Sequence, residues 1–219
     1  MPQEGPTDKT NSSFIVTFAG GSIYNKSKSL SGKENTSIEI PGRLLYVGVD
    51  YPYKKLEKLV SGLDLIRRRF PNAVLRLTLP PDHPYSVKPG VKCLGYLNDE
   101  QLSDAYRGSD ILVLPSLLES GPQSPMEAMS LGTPVLVADR PYAHDICDDA
   151  ALFFDPLSPE DFAEKAIRLL TDQTLRKILI ARGYALIEKR RSEKPYQKMV
   201  DILVDVATSS HTKQTPNYS

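Results

Sequence analysis

The 219-residue chain, 40% hydrophobic, is long enough to bury one substantial core. Lys plus Arg and Asp plus Glu both count 27, so no long-range field recruits nucleic acid or an anionic membrane, and any charge that matters is local. Cys93 and Cys147 form no paired motif, no apolar run nears the roughly 20 residues that span a bilayer, and MPQEGPTDKTNSS lacks the basic start and apolar core of a leader; the expectation is a soluble, cytoplasmic protein without a transmembrane segment.

Residues 1–13 and 208–219 are too polar to repay their ordering entropy and read as tails. Between the first tail and Pro41 lie a short apolar stretch, FIVTFA, and a polar linker, so residues 1–40 are expected to form an extension, 41–207 the compact domain and 208–219 a disordered end. GGSIYNKS (20–27) is no phosphate loop, because Asn25 stands where a glycine is required before the lysine. From Arg43 onward, short aliphatic runs alternate with amphipathic ones. Strands are expected at 43–49, 73–79, 91–95, 110–116, 134–139 and 151–154. Helices are expected at 54–70, 99–108, about 123–131, 159–171, 173–190 and about 195–206; in the first, Leu56, Leu59, Val60, Leu63 and Ile66 define one buried face. Asn98 and Ser158 occupy N-cap positions, with Gln101 and Asp161 three residues on. The basic runs at 67–69 and 189–191 read as caps on helix C-termini. This alternation predicts an α/β fold: a doubly wound, parallel, Rossmann-like sheet of about six strands flanked by helices.

The stretch 110–146 carries the chemistry. A buried strand runs into Pro115, and a Gly/Pro/Ser-rich turn leads to a helix near Gln123, a junction that falls at the carboxyl edge of a parallel sheet, where ligands of such folds bind. Backbone N–H groups from Gln123 to Met126 could face an anion such as a diphosphate, although Pro122 and Pro125 contribute none. Glu119 and Glu127 frame the turn, and a carboxylate gripping paired hydroxyls forms charge-assisted hydrogen bonds. Spacing alone favours two solvent-facing glutamates flanking a helix N-terminus.

PSLLESGPQSPMEAMSLGTPVL resembles the signature of glycosyltransferase family 4, in which a Glu, seven residues and a second Glu precede Ala-Met and Gly-x-Pro-Val; here these are Glu119, Glu127, Ala128, Met129, Gly132, Pro134 and Val135. The resemblance extends over about 43–206, through LLYVGVDYPYKK, LGYLNDEQLSDAYRGSD and ALFFDPLSPEDFAEKAIRLL. It implies one half of a two-domain GT-B architecture, the half that binds the donor, acting with retention of anomeric configuration. A UDP- or GDP-sugar would be the donor substrate, with no cofactor and no metal, in polysaccharide biosynthesis. By the same resemblance Glu127 would bind the ribose hydroxyls and Glu119 would approach the transferred sugar. Lys54, six residues after Gly48, would take the diphosphate and stabilise the departing charge, and the backbone of Gly121, Gln123 and Ser124 would meet phosphates or sugar. Two positions depart from the pattern: Val49 stands where the family has an arginine, and Ser120-Gly121-Pro122 replaces Gly-Phe-Gly.

Tyr46, Tyr51, Tyr53 and Tyr96 are candidates for stacking on the base, with Tyr96 favoured because it follows Gly95 at the sheet's carboxyl edge. His83, His144 and His211 are scattered, show no metal spacing, and His144 reads as a hydrogen-bonded structural residue. Fewer than 45 residues precede the first strand, too few for an acceptor domain, so activity is expected to need an N-terminal domain or partner subunit; a non-catalytic nucleotide-sugar-binding module is the alternative. A nucleotide-sugar epimerase fits the acid spacing less well. The last helix is expected to leave Tyr196, Met199, Ile202 and Leu203 partly unburied.

Overall fold

Strands buried on both faces read as unbroken aliphatic runs, and the two such runs in this chain, ILVL and VLVA, are buried at every position. In the computed structural model, which describes residues 42–192, 200–206 and 208, they are adjacent interior strands of a six-stranded sheet. The strands are β1 (Arg43–Tyr46), β2 (Val74–Leu77), β3 (Val91–Cys93), β4 (Ile111–Leu114), β5 (Val135–Ala138) and β6 (Ala151–Phe154). Their order is β3-β2-β1-β4-β5-β6 and every pairing is parallel, with Leu44 opposite Leu75 on one side and Ile111 on the other. The doubly wound Rossmann-like sheet is therefore as expected, although most strands end earlier than their aliphatic runs.

Besides the helical residues 200–206, six α-helices accompany the sheet among the described residues: α1 (Leu56–Arg69), α2 (Asp99–Arg107), α3 (Ser124–Ser130), α4 (Pro141–Cys147), α5 (Pro159–Thr171) and α6 (Gln173–Ser192). α1 buries Leu56, Leu59, Leu63 and Ile66 and packs against α5. Gly62 permits the approach, since a Cβ there would sit 2.8 Å from Pro159 O and collide with Phe162. α3 packs against α6. Asn98 closes a full capping box with Gln101, whereas Ser158 caps α5 through Asp161 N while the Asp161 carboxylate turns to Asp155 N.

Three expectations need correction. α4 was not anticipated: its seven residues bury only Ala143 and Cys147, too short a pattern to stand out. The helix expected from residue 54 starts at Leu56, after a separate 3-10 turn at Pro52–Lys54. Arg67 and Arg190 do more than end their helices: Arg67 donates to Ala73 O at 2.7 Å ahead of β2, and Arg190 to Asp145 O at 2.6 Å in α4. Residues 200–206 are helical, as expected, with Ile202 and Leu203 exposed. Tyr196, Met199, the 1–40 extension and all of the tail except helical Thr208 lie outside the described residues.

The amino ends of β1 and β4 are locked together. Asp110 accepts from the Gly42 and Arg43 amides at 3.0 and 2.8 Å and from the Arg43 guanidinium at 3.2 Å, while Arg176 of α6 donates to Asp110 O at 2.9 Å. Burial alone would raise the Asp110 carboxyl, but the Arg43 and Gly42 donors outweigh it and hold the group below the usual carboxylate range.

Candidate functional site

The order of the sheet reverses between β1 and β4, so the connections leaving their carboxyl ends part to opposite sides and open a crevice. Leu117 N donates to Tyr53 O at 2.8 Å, joining the segment after β4 to the turn after β1 across that crevice. A cavity of about 220 Å³ lies there, reached by Val47 and Leu114 beyond and at the two strand ends and lined by Lys54, Glu119, Gln123, Ser124 and Glu127. Five sequence-predicted site residues, drawn from two segments 65 positions apart at their closest pairing, thus converge on one concavity.

Lys54 ends the 3-10 turn and forms an ion pair with Glu119 Oε1. Both side chains are close to nine-tenths buried, at 12% and 13% exposed. Lys54 stands one residue before Lys55, the N-cap of α1, so it precedes the helix that it was expected to open. Its ammonium also lies 5.3 Å from the centroid of the Tyr53 ring.

Gln123 is the N-cap residue of α3 but makes no side-chain cap, and its amide group donates instead to Gly121 O at 3.3 Å. With Pro125 in the first turn and Glu127 N bonded to Gln123 O at 3.0 Å, the helix-start amides that remain for a ligand are those of Gln123, Ser124 and Met126. Glu127 is buried. Tyr106 of α2 donates its hydroxyl to Glu127 Oε2 at 2.6 Å. Burial pushes the Glu127 carboxyl up, the Tyr106 hydrogen bond opposes that rise, and Asp99 adds to it.

The remaining candidates sit elsewhere. Gly48, at φ +149°, donates its N–H to Thr78 Oγ1 at 2.9 Å, and a Cβ there would stand 2.8 Å from the Tyr46 hydroxyl; it shapes the turn without lining the cavity. Gly121 is exposed, and the cavity is lined by its neighbours Pro122 and Gln123. Tyr96 is 94% exposed and outside the cavity lining. Tyr46 is fully buried and bonded to Val49 O at 2.7 Å, so it is no stacking platform. Tyr51 and Tyr53 stack on each other with centroids 5.6 Å apart, beside Lys54. His144 is held by Asp139 at 2.7 Å and stacks on Phe153, a structural arrangement. No group of three or more His, Cys, Asp or Glu gathers as a metal site among the described residues.

Two tyrosines were not anticipated. Tyr142 donates to Ser116 O at 2.8 Å and props the segment that leads to Glu119. Tyr106 holds Glu127. The available signal was Leu102, Ala105 and Tyr106 at helical spacing, since a tyrosine on a buried face needs a partner for its hydroxyl.

A doubly wound domain with its cavity at the switch point is a Rossmann-like architecture, and the solved structures it resembles are GT-B glycosyltransferases. The α,α-trehalose-phosphate synthase (UDP-forming) of Burkholderia vietnamiensis superimposes with a TM-score of 0.67 at 13% identity, over 80% of this chain and 46% of that one. The C-terminal domain of a glycosyl transferase group 1 family protein from Francisella tularensis gives 0.57 at 20% identity, over 69% of this chain and 88% of that domain. Residues 82–186 match the family model of glycosyl transferases group 1. The matched stretch holds Tyr106, Glu119 and Glu127 but not Lys54. Among curated relatives, the O-antigen chain mannosyltransferase B of Escherichia coli is 28% identical over 66% of this chain and 41% of its own length, and the sulfoquinovosyl transferase SQD2 of Arabidopsis thaliana 29% identical over 69% and 26%. The chain thus spans less than half the length of these relatives. No described helix is long and apolar enough to cross a membrane.

Proposed function

We propose that this chain is the donor-binding part of a retaining glycosyltransferase of the family 4 type, transferring a hexosyl group from a UDP- or GDP-sugar to a hydroxyl acceptor. The observation that carries this reading is the meeting of Lys54, Glu119 and Glu127 in one cavity at the switch point. Lys54 and the Gln123, Ser124 and Met126 amides receive the diphosphate and stabilise charge as it builds on the leaving group. Glu127 accepts hydrogen bonds from the ribose hydroxyls, and Glu119 exchanges Lys54 for hydroxyls of the transferred sugar. The mannosyl and sulfoquinovosyl transferases among the relatives support a sugar as the transferred group. Their greater length supports an acceptor-binding domain or subunit that meets the open cavity, and the exposed Ile202 and Leu203 offer it apolar surface.

Calorimetric titration of the full chain with UDP, GDP and their sugars tests the site. Glu127→Ala is expected to weaken binding about 10- to 100-fold, the worth of one or two charge-assisted hydrogen bonds, and Lys54→Ala about as much. If neither substitution changes the affinity, the assigned site is wrong. A binding-only module is the second reading, favoured by Val49, half exposed where the resembled family carries a phosphate-binding arginine. Donor binding without transfer, with every candidate acceptor domain supplied, would select it.

A further inference from the structure

Tyr106 is fully buried and absent from the cavity lining, yet its hydroxyl is spent on a residue that lines the cavity. Two contacts fix its place: the hydrogen bond to Glu127 Oε2 at 2.6 Å, and Thr133 Oγ1 donating to Tyr106 O at 2.9 Å, which ties the end of α2 to the turn before β5. A carboxylate accepts through about four lone pairs. Tyr106 uses one of them on Oε2. Oε1 has no hydrogen bond from any described residue, on a residue only 5% exposed, and it is not sealed from solvent as an orphaned buried atom would be. The acceptor sites that remain therefore open toward the cavity, in a plane set by a rigid ring behind them.

We propose that Tyr106 is a positioning residue for donor recognition: it fixes the plane of the Glu127 carboxylate so that the free lone pairs meet the two vicinal hydroxyls of a ribose. The inference rests on the donor-binding reading above and adds what selects ribose over deoxyribose. Without the Tyr106 hydroxyl, the carboxylate rotates about its terminal torsion and no longer holds both acceptors in register with the diol. A phenylalanine fills the same space, so the loss falls on orientation and leaves packing intact.

The test measures affinities of the full chain for UDP, GDP, dUDP and dGDP, with unfolding midpoints recorded on the same preparations. For whichever base binds, the wild-type chain is expected to prefer the ribose form about tenfold or more, the worth of one charge-assisted hydrogen bond, and Tyr106→Phe to reduce that preference to about threefold or less while affinity for the deoxy form changes little. Glu127→Gln serves as the reference. If Glu127→Gln abolishes the preference and Tyr106→Phe leaves it whole, whatever it does to the unfolding midpoint, the positioning role is overturned and the donor reading stands. If the wild-type chain binds none of the four, or ignores the 2′-hydroxyl, or Glu127→Gln has no effect, the donor reading fails and the role of Tyr106 fails with it.

Discussion

The central strands β1 and β4 have an ion pair at each end, and the two pairs are built differently. At the amino edge Asp110 collects two backbone amides and the Arg43 guanidinium, and the carbonyl of the same residue is held by Arg176. At the carboxyl edge Glu119 meets Lys54 through one oxygen, beside a cavity. In the first arrangement both carboxylate oxygens accept from groups fixed by the fold, and the charge is spread over them. The second is a contact between two long side chains that a competing anion or diol can replace. Similar charges on the same two strands thus serve stability at one edge and exchange at the other.

The comparison breaks first at Asp110. Replacing it by alanine is expected to cost about 3 kcal/mol, because buried amides and a guanidinium lose their acceptor, and denaturant unfolding reads the loss. Since the folded carboxyl lies below its unfolded value of about 3.9, its contribution is complete above that value and disappears as pH falls through the lower folded one; the gap between wild type and Asp110→Asn should be flat above about pH 5 and close below about pH 4. A gap unchanged into acid would remove the charge from the account. At the other edge, Glu119→Gln is expected to tighten UDP or GDP binding about three- to tenfold, because Lys54 is no longer neutralised before the diphosphate arrives, while sugar transfer declines. Weaker diphosphate binding would instead make Glu119 part of the phosphate site. The smallest effect is expected for the double replacement Lys54→Met with Glu119→Gln on unfolding, within about 1 kcal/mol, because it removes both charges and leaves neither buried alone. A loss as large as that of Asp110→Ala would erase the distinction between the two edges.

The sheet could be read from sequence because each aliphatic run is a buried parallel strand, and ILVL and VLVA admit no other easy placement. α4 could not, since two buried residues in seven give no period to detect. The Glu119 and Glu127 pair was visible through its family pattern, and Lys54 through its distance from Gly48. Neither signal showed that Lys54 and Glu119 touch, a contact that exists only after β1 and β4 pair. Tyr106 was hidden for the same reason: its partner lies on another helix, and periodicity reports which face is buried but not what it meets there. Tyr96 was favoured by its place at the sheet edge, yet the aromatic ring beside the cavity's lysine is that of Tyr53.

The bond from Leu117 N to Tyr53 O acts as a crossbar between the two sides of the crevice. An insertion or deletion in either connection would be transmitted to the other, so the two loops are constrained to vary in length together, even though more than sixty positions separate them in the chain. Grafting one of them alone into a related scaffold should therefore fail where exchanging both succeeds.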